Sequence, residues 1–489
     1  MVFWAVQMNT PGIDRTANGT LVEQVMTAVR QQISSRQATP GVRLASIRAL
    51  ALRLQVSKST VVDAYERLVA EGVIQSRPGS GFYVAGHLPP FSLSNTGPRF
   101  DREVDPLWLT RQSLDTDHSF LKPGCGWLPD SWMPKGDIQR ALRKLARDKQ
   151  ANLTDYSTPQ GLPALRQLLS RRLADSGVEA SAHQIMLTES GTQAIDLLCR
   201  FLLEPGDIVL LDDPCYFNFH AMLRAHRVKV ISVPYTHNGP DIDKFEQALM
   251  ENSPRLYITN SALHNPTGAS LSPAVAHRVL KLAEQHSLLI IEDDIFADFE
   301  QNPAPRLAAF DGLERVIHVS SFSKTLSASV RCGFIAARQD WIEELVDLKL
   351  ATSFGGGAFS GELVLRLLKD GSYRRHTSHL RNRLVDAMDK VSTRLKSIGL
   401  TPWYAPDAGM FLWCQLPDGL NSANVARAAL ENRVILAPGN AFSLTQAAKS
   451  FLRFNVAQTL DPAIISLLEH AMQQSEMLGV EGSDFAAST

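Results

Sequence analysis

The sequence predicts an α/β protein in two unequal parts, and three observations carry that expectation. From about residue 118 onward, continuous apolar runs at 208–211, 228–233, 255–259, 287–291 and 316–319 alternate with helix-period stretches. Runs apolar on both sides of the pleat belong to a mostly parallel sheet covered by helices on both faces. Residues 20–85 read instead as short capped helices followed by a hairpin. Between the parts, residues 86–117 hold Pro89-Pro90, Ser94-Asn95-Thr96-Gly97-Pro98 and Asp105-Pro106 with little periodicity, the composition of a linker. The expected domains are therefore 20–85, a linker 86–117, a large domain 118–473, and a polar tail 474–489 expected to be disordered.

The first helix is expected over 21–33, with Val25, Ala28, Val29 and Ile33 on one side. Ser46 is a good N-cap for a short helix that turns Ile47, Leu50 and Leu54 inward. Gln55-Val56 makes a turn, and Ser57 caps the next helix. There Val56 and Val61 form a hydrophobic staple, and Val61, Tyr65 and Leu68 the buried stripe. Two short capped helices joined by a tight turn make a helix-turn-helix. The first turn of its second helix, Ser57-Lys58-Ser59-Thr60, offers hydroxyls and a cation to base edges and phosphates. Residues 73–84 alternate around Pro78-Gly79-Ser80-Gly81, a hairpin wing with Arg77 at its tip.

Between Thr20 and Ala85 eight Lys or Arg stand against four Asp or Glu, a local charge of +4 in a chain of net −1. A small helical interaction module would share the helices, but the helix pair, wing and basic charge together favour double-stranded DNA. The residues Pro40-Gly41-Val42-Arg43-Leu44, Ser46-Ile47-Arg48, Val56-Ser57-Lys58-Ser59-Thr60-Val61, Glu71-Gly72 and Arg77 to Gly81 resemble the winged helix-turn-helix domain of GntR-type regulators. The resemblance implies DNA contacts from Arg48, Lys58, Ser59, Thr60, Arg77 and the wing around Gly79. Ala45 stands where that family usually has proline, which should loosen a helix entrance.

In the large part, Lys324 follows the apolar run 316–319 within Ser320-Ser321-Phe322-Ser323-Lys324-Thr325. A lysine past a strand end, among hydroxyls and with Arg331 close behind, can hold a phosphorylated aldehyde as a Schiff base. Alone it is as easily a solvated loop lysine. Four further segments decide: His264-Asn265-Pro266-Thr267-Gly268, Glu292-Asp293-Asp294, Ser190-Gly191-Thr192 opening a helical pattern, and Arg453-Phe454-Asn455. The strands before Asn265, Asp293 and Lys324 all end at these polar groups, and ligands of doubly wound sheets sit off the carboxyl ends of strands. Asp293 can keep a pyridine nitrogen protonated, Asn265 can donate to a ring phenolate, and Gly191 and Thr192 can bind phosphate through backbone amides. Ser321, Ser323 and Arg331 complete the phosphate cradle, and Arg453 offers a fork to an α-carboxylate.

On those motifs residues 118–472 resemble a fold-type I aminotransferase, with a mostly parallel sheet and a small C-terminal α+β subdomain. Behind a GntR-type domain the whole resembles a MocR/GabR-type transcriptional regulator. The resemblance implies pyridoxal 5′-phosphate as cofactor and a homodimer. It also implies that Tyr156 reaches the phosphate of the other subunit, Tyr216 stacks on the ring, and Gly126 lies by the substrate carboxylate. Two departures stand out. Ile295 and Phe296 occupy the place of a tyrosine that donates to the ring oxygen, and Ala328 replaces a common proline. Loss of the donor should weaken turnover more than cofactor binding. The expected function is a regulator that senses pyridoxal phosphate, an amino acid, or both. The alternatives are an active aminotransferase with a regulatory domain, and a regulator that has lost the cofactor.

The totals bound this reading. Hydrophobic content of 44% and charged content of 20% suit a large folded core. The five cysteines form no CxxC pair, which argues against a disulfide framework or zinc site and for a reducing compartment. No apolar run approaches the ~20 residues of a membrane span, and the apolar opening 1–6 is too short for a signal peptide. A cytoplasmic protein is expected.

Overall fold

The computed structural model of the chain describes residues 20–34, 38, 41–77, 80–85, 106–115, 119–151 and 154–486. Two units separate, Met1–Ser92 and Leu93–Thr489. In the first, α1 (Leu21–Ser34), α2 (Ile47–Leu54) and α3 (Lys58–Ala70) precede a hairpin of β1 (Ile74–Arg77) and β2 (Gly81–Val84). Both expected caps form: Ser46 Oγ accepts from the Ala49 N–H, and Ser57 Oγ from the Thr60 N–H. Gln55 ends α2 in the left-handed region at φ 53°. Val25, Val29, Leu50, Leu54, Val61, Tyr65 and Leu68 meet in one core. Residues 41–44 pair along the hairpin, with the Leu44 N–H donating to Phe82 O at 2.8 Å. The Tyr65 hydroxyl donates to Ala45 O at 2.9 Å, tying down the helix entrance where the expected proline is missing.

The second unit opens with α4 (Pro106–Asp115), α5 (Lys135–Arg147) and α6 (Pro163–Asp175). An eight-stranded sheet follows. Its strands are β3 (Ile185–Thr188), β4 (Ile208–Asp213), β5 (Lys229–Thr236), β6 (Gly239–Pro240), β7 (Leu256–Thr259), β8 (Leu289–Asp293), β9 (Val316–Ser321) and β10 (Gly333–Ala336). The helices between them are α7 (Gly191–Leu202), α8 (Phe217–Ala225), α9 (Ile242–Asn252), α10 (Pro273–Gln285) and α11 (Leu307–Asp311). The spatial order is β3-β10-β9-β8-β7-β4-β5-β6. Strands β5, β4, β7, β8 and β9 run parallel, and β10 runs antiparallel to both its neighbours.

The apolar runs have the cause the sequence suggested. Leu210, Tyr257, Ile290 and Val316 enter the core on one sheet face, and Leu211, Ile258, Ile291 and Ile317 the core on the other. Helices α12 (Gln339–Ser353), α13 (Ala358–Lys369) and α14 (Ser372–Ser397) lead to a smaller subdomain. There β11 (Thr401–Pro402), β12 (Phe411–Gln415), α15 (Ser422–Glu431), β13 (Ala437–Pro438), β14 (Phe451–Asn455) and α16 (Ala463–Ala486) build an antiparallel sheet of order β11-β12-β14-β13.

Two expectations need correction. The segment 86–117 is not linker throughout, because Pro106–Asp115 is helical. Proline at the first helical position needs no donor there and is pre-set for the helix, so Asp105-Pro106 starts a helix rather than extending a loop. Residues 474–486 of that tail are helical too, since α16 runs to Ala486. Residues 474–486 contain no proline, and Glu476, Met477, Leu478 and Glu481 are good helix formers that carry the last turns onward.

Close packing gives one testable consequence. A Cβ at Gly439 would stand 1.9 Å from Ala448 O, beside the small sheet. Gly439→Ala should therefore cost about 3 kcal/mol or more by overpacking. Thermal unfolding would show a Tm lowered by several degrees, and an unchanged Tm would contradict the packing described.

Candidate functional site

Five strand ends bring the polar segments to one edge of the sheet. Past β9, Lys324 turns inward, and its Nζ donates to Gly126 O at 2.7 Å. β8 ends at Asp293 itself, which is 6% exposed. Past β7 come Asn260 and Asn265, past β4 comes Tyr216, and past β3 the helix α7 starts at Gly191. From the small sheet, β14 contributes Arg453. These groups line one cavity of about 640 Å³, together with Thr192, Ser323 and Arg331. The size suits a cofactor with a small ligand.

Arg453 is buried, and its fork is committed to specific partners. Nη1 donates to Asn265 Oδ1 at 2.8 Å and Nη2 to Gly124 O at 2.7 Å. The guanidinium stands over the rings of Phe411 and Phe442, 4.3 and 4.8 Å from their centroids. Its Nε is buried without a partner. Because a guanidinium can only donate, the Asn265 oxygen must face it, which leaves the Asn265 Nδ2 as a donor elsewhere. Asn455 holds the loop opposite, donating through Nδ2 to Cys125 O at 3.0 Å and Trp127 O at 2.8 Å.

Electrostatics follow from burial. The Lys324 amine is pushed down to about 8 by burial and by Arg453, with Asp293 opposing. Burial pushes the Asp293 carboxyl up to about 6, against hydrogen bonds from Asn260 and the Ile295 N–H. Burial likewise brings Arg453 down to about 10. A low lysine, a raised carboxyl and a confined guanidinium around one cavity mark a site built for chemistry or binding.

The start of α7 forms one end of the cavity. Ser190 Oγ accepts from the Gln193 N–H, and the first amides of the helix have no intrahelical acceptor. Ser321 Oγ lies 2.9 Å from Ser323 Oγ. Arg331 is exposed and held in the left-handed region at φ 51°. A Cβ at Gly333 would stand 2.8 Å from the Ser190 carbonyl carbon, so glycine permits β10 to approach this turn.

Of the residues read from the sequence, Ser321 sits one layer behind the cavity wall formed by Ser323. Tyr156 is 78% exposed and packs edge-to-face on Phe354, away from the cavity within its own chain. Phe296 is buried on the cavity wall against Phe299 and Phe411, so an apolar ring fills the place expected for a phenol. Asn260, whose Nδ2 donates to Asp293 O at 2.9 Å, escaped the sequence reading, as did Asn455 and the aromatic pair around Arg453. Asn455 was within reach, two residues past Arg453 on the same face of a strand.

Behind the site, Asp294, the residue after β8, does not line the cavity. Arg306, 2% exposed, donates through Nε to Asp294 Oδ2 at 2.8 Å and also bonds Glu300. Burial disfavours that charge, but Asp294 and Glu300 hold the guanidinium ionised.

In the first unit, Arg48, Lys58, Ser59 and Arg77 are exposed, with Lys58 at the first position of α3. Ser59 Oγ and Thr60 Oγ1 each lie 2.7 Å from the capping Ser57 Oγ, which orders the hydroxyls at this helix start. The Arg77 guanidinium lies 4.3 Å from the centroid of the Tyr83 ring. Gly79 lies outside the described residues.

Comparison with known proteins agrees with this layout. Residues 21–84 match the bacterial regulatory proteins of the gntR family, and residues 130–470 match aminotransferase class I and II. The HTH-type transcriptional regulator YdcR of Escherichia coli (strain K12) is 30% identical over 452 residues, covering 89% of this chain and 94% of that protein. The HTH-type transcriptional regulator NorG of Staphylococcus aureus (strain USA300) is 29% identical over 384 residues, covering 76% of this chain and 86% of that one. Among solved structures, a kynurenine aminotransferase of Pyrococcus horikoshii superposes with TM-score 0.70 at 24% identity, over 79% of this chain and 97% of that one. LysN, an α-aminoadipate aminotransferase of Thermus thermophilus, superposes with TM-score 0.69 at 24% identity, over 79% of this chain and 100% of that one. These two likenesses establish the fold of the large domain. Among the described residues no helix is long and apolar enough to cross a membrane.

The buried ion triad behind Asp293 is open to test. Arg306→Met would leave Asp294 and Glu300 uncompensated, at a cost of about 3–5 kcal/mol. Denaturant unfolding should show that loss as a lower midpoint, and a variant as stable as the parent would refute it.

Proposed function

The chain belongs to the HTH-type transcriptional regulators that join a gntR-family domain to an aminotransferase class I and II domain, and on that premise we propose how its two parts work together. The first unit binds operator DNA. The second holds pyridoxal 5′-phosphate and senses either that cofactor or an amino acid presented to it. The observation that carries this reading is the convergence of Lys324, Asp293, Asn265 and Arg453 on one cavity beside the start of α7.

The residues suit the group. Pyridoxal phosphate would supply an electrophilic aldehyde and an electron-withdrawing ring. Lys324, with its amine pushed down to about 8, is a nucleophile close to neutral pH. Asp293 suits a ring nitrogen, since a cationic partner would offset its burial. The free Nδ2 of Asn265 suits a ring oxygen, and the amides of Gly191 and Thr192 with Ser323 and Arg331 suit a phosphate. Arg453 keeps its positive charge and an unpartnered Nε near Gly126, and a carboxylate there could take over Nη2 from the Gly124 carbonyl. Tyr216, half-buried at the start of α8, supports a stacking role. A homodimer in the cytoplasm fits the reading, with two reading heads for tandem half-sites and the exposed Tyr156 available to the other subunit. Phe296 favours sensing over turnover, since Asn265 is left to donate to the ring oxygen without a phenol beside it.

Mixing the purified protein with pyridoxal phosphate should produce visible absorbance that Lys324→Ala abolishes. The rate of its appearance should rise with pH through a midpoint at about 8, where half of the Lys324 amine is neutral, and level off above it. A midpoint near the ordinary lysine value, or a colourless wild-type protein, would count against the reading. An amino-acid panel with 2-oxoglutarate separates the alternative, since turnover at ordinary aminotransferase rates would make the chain a working enzyme. For the DNA role, binding to the promoter region of its own gene should weaken with salt. Lys58→Ala and Arg77→Ala should each lower affinity and reduce the slope of log K against log salt by roughly 0.9 for each reading head engaged. Unchanged binding in both variants would remove α3 and the wing as the reading head.

A further inference from the structure

Lys324 belongs to no helix or strand, since residues 322–326 form turns past β9. A reactive group on such a segment depends on a rigid scaffold to hold it. The start of α14 supplies that scaffold. Two residues that flank the lysine meet one side chain of the helix. The Thr325 hydroxyl lies 2.5 Å from the Tyr373 hydroxyl, and the Phe322 ring packs edge-on against the Tyr373 ring with centroids 5.7 Å apart. One turn along α14, His376 Nε2 lies 2.8 Å from Thr325 O. A carbonyl only accepts, so this nitrogen carries a proton and donates it. Thr325, 1% exposed, is therefore held through side chain and main chain at once.

Tyr373 is itself fixed. Its hydroxyl donates to Asp298 Oδ2, which uses its one proton, so Thr325 must be the donor between the two hydroxyls. Arg172 Nη2 donates to the other oxygen of that carboxylate at 2.9 Å, and Arg381 Nε donates to Asp298 O at 2.8 Å. Tyr373 packs in the core on one face of the large sheet, while Leu380 and Leu384 further along α14 pack in the core of the small subdomain. The helix that holds the lysine turn is thus anchored in both. Tyr373 and His376 do not line the cavity that contains Lys324. Any effect they have on the amine passes through Thr325 and Phe322.

We propose that Tyr373 and His376 are positioning residues for Lys324, holding its turn so that the amine meets an aldehyde seated in the cavity. This rests on the reading of the cavity as a pyridoxal phosphate site. In that reaction the neutral Lys324 nitrogen bonds to the aldehyde carbon, and its two protons leave with the aldehyde oxygen as water. The step needs the nitrogen near attack distance, and a misplacement of about 1 Å can cost about a hundredfold in rate. Groups that only bind phosphate or ring gain nothing from the clamp, so binding and bond formation should separate when it is cut.

Two probes on the full-length protein make that separation. Pyridoxal phosphate reports bond formation through the rate at which visible absorbance appears. Pyridoxine 5′-phosphate has an alcohol in place of the aldehyde and reports binding alone, by calorimetry. Thr325→Val, Tyr373→Phe and His376→Phe should each slow the appearance of colour about tenfold. Their affinity for pyridoxine 5′-phosphate should stay within about twofold of the parent. Thr325→Ser keeps the hydroxyl and should restore most of the rate. Thr325→Val with Tyr373→Phe should be no slower than either alone, because both remove the same bond. Should Tyr373→Phe fail to fold, Thr325→Val cuts that bond from the other side. Parent rates in Thr325→Val would overturn the proposal. So would a loss of pyridoxine 5′-phosphate affinity as large as the loss of rate, since the contacts would then only support the fold. A parent protein that pyridoxal phosphate leaves colourless would overturn the cofactor reading, and the proposal with it.

Discussion

The buried hydrogen bond from Arg453 Nη1 to Asn265 Oδ1, 2.8 Å long, joins the small sheet to the loop after β7. A guanidinium cannot shed its proton to escape burial, so it must find acceptors, and two segments distant from its own strand supply them. Asn265 comes from the large sheet, Gly124 from the loop ahead of α5, and Arg453 itself from β14. Phe411 and Phe442 shield the charge from two sides. The bond then determines what its neighbours can do. It turns the Asn265 amide so that its donor is left over, and it brings a cation close enough to depress Lys324. A cavity with a nucleophilic amine, a raised carboxyl and one spare amide donor is the consequence.

Much of this was legible in the sequence because the physics is local. Strands buried on both faces must be apolar at every position, so their runs were visible, and their carboxyl ends located Asn265, Asp293 and Lys324. Ser46 and Ser57 marked their helices because an orphan amide needs an oxygen at that spacing. What escaped depends on contacts distant in sequence. Nothing local to Phe411 or Phe442 says that they cover an arginine. Asn260 looked like a strand terminus until its side chain was found on the Asp293 carbonyl. Arg306 could be read as a surface cation, yet it pairs with two carboxylates inside the protein. The helix α4 escaped for a different reason. Proline-rich composition on either side of a short segment hides a helix that proline itself starts.

In the proposed reading, Phe296 in the place of a phenol shifts the balance from turnover toward sensing. The ring is buried against Phe299 and Phe411, so no nearby rotation restores a donor. Binding groups are retained while one proton-handling group is not. That division fits a domain that reports occupancy to an attached DNA-binding unit, since a sensor needs differential affinity for two states and not rapid product release.

The central claim is thus a coupling between the cavity and DNA, and coupling must be reciprocal. The most direct measurement is operator affinity with and without saturating pyridoxal phosphate, in the parent protein and in Lys324→Ala. The account predicts an affinity change of about fivefold or more in the parent, and none in the variant. The same affinity in the parent with and without pyridoxal phosphate, and with an amino-acid panel added, would contradict it.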